Sequence, residues 1–229
     1  MCLQFVDTLY IYLNIVHIVL QLYIQIAMVE QYVCVLDFEA TCWDGTDDHE
    51  IIEFPSVLWR WTTAPTTFQL VDSIQLFVRP THNPTVSAFC EGLTGISQAQ
   101  VDAGITLESA LAQHHAWLRG HVPDTSNVKF VTCGDWDIKT MLPRDMQANK
   151  LPYPASVYKN WVNVKQLFDH VTKSRKSMSM VRMLGALDLQ LEGRHHSGID
   201  DCRNISKIVR KLVELGLSVE HFRGFVRKL

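Results

Sequence analysis

The sequence lacks the patterns of a zinc protein, of a disulfide-stapled domain and of a strongly basic nucleic-acid binder. It contains 6 cysteines, but none forms a CxxC pair and no His/Cys cluster has the spacing of a zinc site. We therefore expect reduced thiols in a reducing compartment. The net charge is −3, so no overall positive field attracts polyanions. Any nucleic acid that the protein handles must be met by a local basic patch or through bound cations.

The start of the chain differs in composition from the rest. Residues 8–29 contain no Asp, Glu, Lys or Arg, and this stretch is long enough to cross a bilayer. Four polar residues recur in it at helical spacing and predict one polar stripe: Asn14, His17, Gln21 and Gln25. Three interpretations of residues 1–28 stay open: a membrane anchor, an amphipathic helix packed on the domain or a partner, and a non-native extension. The last is favoured because Met28 leads directly into the first predicted strand.

The pattern of apolar runs predicts one domain over residues 29–217 and a basic C-terminal tail over residues 218–229. Three strands joined by short loops predict an antiparallel meander, which is followed by alternating helices and short apolar strands. The predicted fold class is therefore α/β, with a mixed five-stranded sheet flanked by helices. Pro55 interrupts the second strand, which predicts an edge position or a bulge there.

Two acidic residues follow the first buried strand. Val33 to Leu36 is an apolar run rich in β-branched residues, and Asp37 and Glu39 come directly after it. Because side chains alternate faces along a strand, the two carboxylates point the same way, about 7 Å apart. Like charges that lose hydration repel each other unless a cation lies between them. The pair indicates a divalent-cation site, although solvated acids at the end of a strand follow the same pattern.

Further polar residues stand where the predicted fold reaches an end of the sheet. Asp137 is in the first turn of the helix after the next buried strand, and His196 and Asp201 open the last long helix. Each has a simple structural explanation, because a helix dipole stabilises an Asp in the first turn and a His there can be a cap or a surface residue. The order of these residues along the chain favours convergence in one site. Asp135, an additional acid, is interpreted as a helix cap.

These motifs resemble those of the DEDD-class 3′-5′ exonucleases of the histidine subtype (DEDDh). Within that class the chain resembles the enhancer-of-RNAi exoribonucleases, which include the three-prime histone mRNA exonuclease. The matching segments lie in family order: 35–42, 50–55, 77–80, 89–90, 93–96, 136–137 and 196–201. The resemblance implies a ribonuclease H-like fold and two Mg²⁺ or Mn²⁺ ions. It implies that Asp37, Glu39, Asp137 and Asp201 hold these ions, and that His196 is the general base.

The resemblance also implies the reaction: hydrolysis of phosphodiester bonds at single-stranded RNA 3′ ends, with release of nucleoside 5′-monophosphates. Two cations about 3.5–4 Å apart form the attacking hydroxide and relieve charge on the leaving oxygen, and oxygen ligands suit Mg²⁺ or Mn²⁺. In similar enzymes, residues matching Ala40, Thr41, Leu93 and Thr94 line the pocket for the terminal nucleotide. Four aromatic residues border the motifs and are interpreted either as stacking surfaces for a base or as core residues: Phe38, Trp43, Phe89 and Trp136.

Alternative functions stay open on the sequence alone. One keeps the chemistry but acts on DNA as well as RNA, and another is a catalytically silent nucleic-acid-binding or scaffold protein. We expect RNA or protein adaptors, and a cytoplasmic or nuclear location, with membrane association through residues 8–28 as the alternative. Two basic clusters are interpreted as solvated faces or as phosphate contacts: Lys165, Lys173, Arg175, Lys176 and Arg182, and Arg203, Lys207, Arg210 and Lys211.

Overall fold

The computed structural model describes residue 13 and residues 15–17, 30–42, 49–152, 156–174 and 176–229. The predicted extension over residues 1–28 lies almost wholly outside the described residues. A search of the described helices found no segment with the length and apolar character needed to span a membrane.

The described strands form one mixed sheet. They are β1 Glu30–Leu36, β2 Glu39–Ala40, β3 Ile51–Thr63, β4 Thr66–Phe77, β5 Val128–Thr132, β6 Asn160–Asn163 and β7 Arg227–Lys228. β1 pairs with β3 antiparallel and with β5 parallel, β6 runs parallel to β5, β4 pairs with the other side of β3, and β7 pairs antiparallel with β6. The five longer strands are those predicted from the apolar runs; β2 and β7 are two-residue additions.

Helices cover both faces of this sheet. They are α1 Ala88–Thr94, α2 Gln98–Asp102, α3 Leu107–His121, α4 Leu142–Ala148, α5 Val164–Thr172, α6 Met180–Ala186, α7 Gly198–Glu214 and α8 Val219–Gly224. One π-helical turn, Asp137–Met141, precedes α4, where the sequence predicts a continuous helix over residues 135–148. Two short 3₁₀ turns, Thr125–Asn127 and Ser156–Lys159, precede β5 and β6.

Strand β1 lies in the core with both of its faces buried. Cys34 and Leu36 belong to the apolar cluster that α3 and α4 share, whereas Val33 and Val35 belong to the cluster on the opposite face, shared with α5 to α8. A strand that is buried on both faces has a continuous apolar sequence, which is why β1 is predictable. The acids that follow β1 are thereby attached to a strand that is packed on both faces.

The pairing between β1 and β3 is interrupted beside Pro55. Leu36 pairs with Ser56, and the next pair on this side of β3 is Glu39 with Glu53. The predicted edge position of Pro55 is wrong, because β3 has partners on both sides. Proline is tolerated in this strand because it lies opposite the unpaired Asp37–Phe38 step, where β1 has ended and β2 has not begun.

Residues 218–229 are packed against the domain, which corrects their prediction as a basic tail. Val219 and Phe222 are completely buried in the core cluster on one face of the sheet, and β7 extends the sheet beyond β6. Asp135 accepts a hydrogen bond from Trp161 Nε1 at 3.0 Å and pairs with Arg227 Nη1 at 2.6 Å. Its prediction as a helix cap is therefore wrong, since its side chain anchors the C-terminal strand.

Candidate active site

The acids predicted to bind metal meet at one edge of the sheet. Because β1 and β5 are parallel, the residues that follow them come to the same edge. One carboxylate oxygen from each of Asp37, Glu39 and Asp201 lies within 4.8 Å of the other two. Asp137 adjoins this group, since its Oδ1 accepts a hydrogen bond from Phe38 N at 3.1 Å. The structure thus brings together all four residues at the break between β1 and β2.

Burial raises the pKa of every acid in this pocket, and mutual repulsion adds to the rise for Asp37 and Glu39. The pKa of Asp37 lies well above its usual value, mainly through burial and then through the charges of Asp137, Glu39 and Asp201. Burial, followed by the charges of Glu53, Asp201 and Asp137, raises the pKa of Glu39 to about 9. Burial also raises the pKa of Asp137 to about 6. Such a set of carboxylates becomes fully ionised at neutral pH only when cations offset the charge.

Asp201 has an oxygen that is available for a cation. Its Oδ2 accepts the backbone N–H of His196 at 2.9 Å. Its Oδ1 is one of two buried side-chain polar atoms without a hydrogen-bond partner in the described part of the chain. A buried carboxylate oxygen without a partner costs about 1–3 kcal/mol or more. The oxygen-rich donor set and this unpaired atom fit a hard divalent cation such as Mg²⁺ or Mn²⁺.

Glu53, which sequence reasoning did not single out, orients the helix that carries Asp201. Its carboxylate accepts the backbone N–H groups of Gly198 at 3.1 Å and Ile199 at 3.2 Å, so a side chain from β3 caps α7. A Cβ at position 198 would stand 2.7 Å from the Asp37 carbonyl oxygen. Gly198 is therefore needed for α7 to approach the acids. The Glu39↔Glu53 pairing across β2 and β3 is the relevant signal, and it requires the register of the sheet.

His196 stands at the rim of the acid pocket. Its φ of 67° is in the left-handed region, and in this conformation its N–H reaches Asp201. Burial lowers the pKa of its imidazole, and the positive charges of His195 and Arg194 lower that pKa further. The ring is therefore neutral near pH 7 and able to accept a proton. The His195 ring lies beside it, with centroids 3.9 Å apart.

The residues predicted to line the nucleotide pocket differ in what they expose. Phe89 and Trp136 are 55% and 43% exposed, so neither is a core residue, and both present apolar rings to solvent. Thr41 and Thr94 are buried, and their hydroxyls bond to Glu50 N and Cys90 O inside the protein. Ala40 and Leu93 are half-buried. The two aromatic rings are therefore the members of this set with exposed side chains suited to stacking on a base.

The basic cluster on α7 is a solvated face with internal ion pairs. Each of its four members pairs with an acid: Arg203 with Asp200, Lys207 with Glu192, and both Arg210 and Lys211 with Glu214. In the other cluster, Lys165 lies in the first turn of α5. Burial raises the pKa of the Cys133 thiol to about 12, the charge of Asp37 adds to this rise, and the charge of Lys165 opposes it. The charge of Lys165 therefore acts on the same thiol as the charge of Asp37, an acid of the pocket.

Comparisons with known proteins identify the family of this chain. A family model described as Exonuclease (RNase_T) matches residues 34–209. The human protein ERI1 exoribonuclease 3 is 39% identical over 201 residues, which cover 86% of this chain and 56% of that protein. Rat 3′-5′ exoribonuclease 1 is 36% identical over 190 residues, covering 81% of this chain and 54% of the relative. The chain thus spans about half the length of these curated relatives.

Solved structures show the same fold. The nuclease domain of 3′hExo, a DEDDh family member bound to rAMP, superposes with a TM-score of 0.74 at 34% identity, covering 81% of this chain and 93% of that chain. A 3′-exonuclease that recognises the 3′ end of the histone mRNA stem-loop gives a TM-score of 0.74 at 33% identity, covering 81% and 83%. The predicted ribonuclease H-like fold is confirmed. The chain belongs to the exonuclease family, among the DEDDh enzymes related to 3′-5′ exoribonuclease 1.

Proposed function

We propose that the protein is a metal-dependent 3′-5′ exoribonuclease that removes nucleotides from single-stranded RNA 3′ ends and releases nucleoside 5′-monophosphates. The observation that carries this proposal is the meeting of Asp37, Glu39 and Asp201 within 4.8 Å, next to Asp137. The names of the relatives, which are exoribonucleases, support RNA as the substrate class. The product-like rAMP bound to one related nuclease domain supports it further.

Enzymes of this family depend on divalent metal ions, and we propose two Mg²⁺ or Mn²⁺ ions for this chain. Asp37, Glu39, Asp137 and Asp201 would hold them through carboxylate oxygens, including the unpaired Asp201 Oδ1. When bound, two such ions supply a hydroxide near neutral pH and offset charge on the leaving 3′ oxygen. The slightly acidic protein can then bind a polyanion, because the phosphate is met through cations rather than through an overall basic surface.

Each protein group in the proposed mechanism has a separate task. His196 is neutral near pH 7 and takes the proton of the attacking water, which is typically worth about 10²–10⁴ in rate. Glu53 holds the start of α7, so that Asp201 and His196 keep their positions. Phe89 and Trp136 offer rings on which the terminal bases can stack, each contact being worth about 1–3 kcal/mol.

The test uses single-stranded RNA labelled at its 5′ end and the purified protein, with Mg²⁺ or with EDTA. We expect shortening from the 3′ end in Mg²⁺, nucleoside 5′-monophosphate as product, and no reaction in EDTA. A matched DNA oligonucleotide should react more slowly. Equal rates on RNA and DNA would favour the alternative of a nuclease that acts on both. No hydrolysis of either would favour the catalytically silent nucleic-acid-binding or scaffold protein.

The role of His196 has its own control in the adjacent histidine. We expect His196→Ala to lower the turnover rate by about 10²–10⁴ while Mn²⁺ affinity survives, since the imidazole accepts a proton and does not hold the catalytic ions. His195→Ala should leave turnover near the wild-type value. The assignment fails if His195→Ala is the slower variant. The cytoplasmic or nuclear location and the adaptors remain part of the proposal and are independent of this test.

A further inference from the structure

A second possible group of metal ligands lies beside the proposed catalytic acids. One ring nitrogen of His195, one of His196 and a carboxylate oxygen of Asp201 lie within 4.8 Å of one another. Both imidazoles are half-buried and the carboxylate is 4% exposed. The rings are in contact, with centroids 3.9 Å apart and planes tilted by 49°. The three donors thus face one small volume at the N-terminus of α7.

The donors in this group differ in kind from those that suit Mg²⁺. Two imidazole nitrogens and one carboxylate oxygen are typical ligands of Zn²⁺, whereas Mg²⁺ takes oxygen ligands almost alone. Zinc bonds of about 2.0–2.2 Å allow its ligand atoms to stand at most about 4 Å apart. The ligand atoms lie within 4.8 Å of one another, so their longest separation needs to shorten by at most about 1 Å, which rotation of two half-buried side chains can supply.

The polar side chains next to this group make their hydrogen bonds to other partners. Arg194 is the nearest cationic side chain in sequence, but its guanidinium donates to the carbonyls of Gly92 and Leu93. Asp200 is bound to Arg203 Nη1 at 2.9 Å and to the Arg194 N–H at 3.0 Å. Asp201 Oδ1, in contrast, has no hydrogen-bond partner among the described residues. Asp201 thus has an unpaired oxygen in a carboxylate that lies within 4.8 Å of two imidazole nitrogens, and such a group suits a metal with mixed nitrogen and oxygen ligands.

We propose that His195, His196 and Asp201 form a Zn²⁺ site that inhibits the enzyme. Zinc there would occupy the ring that accepts the proton of the attacking water and an acid that holds the catalytic ions. Binding of zinc depends only on the three side chains, whereas inhibition rests on the proposed function. Substitution of His195 distinguishes the zinc site from the catalytic site, because His195 is a ligand for zinc and has no task in the proposed hydrolysis.

The first experiment measures zinc binding directly. Zn²⁺ is titrated by calorimetry into the full chain in millimolar Mg²⁺, for the wild type, His195→Gln and His170→Gln. His170 is a matched control because it also belongs to a histidine pair, its ring lying 4.8 Å from that of His221. We expect one zinc per wild-type chain, an affinity at least about 10-fold weaker in His195→Gln, and no change in His170→Gln.

The second experiment measures RNA shortening in Mg²⁺ with increasing Zn²⁺. We expect equimolar zinc to stop the wild type, and His195→Gln to keep the zinc-free rate and resist zinc. Equal zinc affinity in His195→Gln and wild type would overturn the proposal. So would a loss of zinc binding in Asp37→Asn without a loss in His195→Gln, since zinc would then occupy the carboxylate group. If no variant hydrolyses RNA, the proposed function fails while calorimetry still decides the zinc site.

Discussion

The acid pocket and the cluster around His114 are two buried polar groups of the same domain. They differ in whether their polar atoms have partners inside the protein. His114 is inaccessible to solvent, with Nδ1 2.8 Å from the Tyr158 hydroxyl and Nε2 2.9 Å from Ser56 Oγ. Its ring stacks on Phe54 with centroids 4.5 Å apart. In the acid pocket the side chains carry charge of one sign, and Asp201 Oδ1 lacks a partner among the described residues.

Burial disfavours the charged form in both places, but with different consequences. It lowers the pKa of His114 to about 3, so the ring is neutral near pH 7 and needs no counter-charge. It raises the pKa of Asp37 and Glu39, which must be ionised to act as ligands. A buried polar cluster whose hydrogen bonds are all made supports stability, whereas one that lacks its counter-charge is a candidate functional site.

The largest expected effect is a loss of activity when an acid of the pocket is replaced. Asp37→Asn removes a proposed metal ligand, so RNA hydrolysis in Mg²⁺ should fall by more than the roughly 10²–10⁴-fold that a lost general base costs. Without metal, its free energy of unfolding should stay equal or rise, because like charges are removed. Single-turnover rates and urea unfolding in EDTA measure both. An unchanged rate would contradict the site assignment.

Replacing His114, in the other buried group, should change the stability of the protein and leave its activity unchanged. His114→Ala leaves a cavity and two hydroxyls without their partner, so the free energy of unfolding should fall by about 3–5 kcal/mol. The rate of the folded protein should not change, because the ring lies inside the core. Urea unfolding measures the first quantity, and the half-buried neighbour provides a control: His115→Ala should cost less than about 1 kcal/mol. Similar losses of unfolding free energy in the two variants would contradict the stabilising role of His114.

Glu53 connects the fold to the pocket, so its substitution should produce an intermediate effect. Glu53→Ala removes the cap of α7, and we expect Mn²⁺ affinity and turnover to fall by about 10–100-fold. Glu53→Gln keeps one acceptor oxygen and should recover part of this loss. Calorimetry with Mn²⁺ and steady-state kinetics give the two quantities. A loss of stability in Glu53→Ala without any loss of metal affinity would make the residue purely structural.

The smallest expected effect is a pH dependence. His114 has a pKa of about 3 in the folded protein and about 6.5 when unfolded, so the unfolded chain binds more protons between these values. Its contribution to stability is therefore present above pH 6.5 and is lost as the pH falls. Relative to His114→Gln, the wild type should lose about 1 kcal/mol between about pH 7.0 and 5.5. A constant difference between the two proteins over this range would argue against a neutral buried ring.

The predictable parts of the molecule were those encoded in short stretches. A short apolar run rich in β-branched residues, such as that of β1, favours a strand, and an acid directly after such a run is recognised without any distant contact. The roles proposed for Asp135 and for residues 218–229 were wrong because Asp135 pairs with Arg227, 92 residues further on. The capping role of Glu53 was missed for the same reason, since the two N–H groups that it caps are about 145 residues away.

The sequence by itself determined the five longer strands in their order along the chain, the acids at their ends, the histidine before the last helix and the family to which these features belong. These features depend on residue type and spacing, which are local properties of the chain. Only the tertiary structure decided that Asp201 keeps an unpaired oxygen, that Glu53 caps α7 and that His195 lies against His196. Burial, through-space charge and hydrogen bonding arise from segments far apart in the chain, so they exist only once the chain has folded.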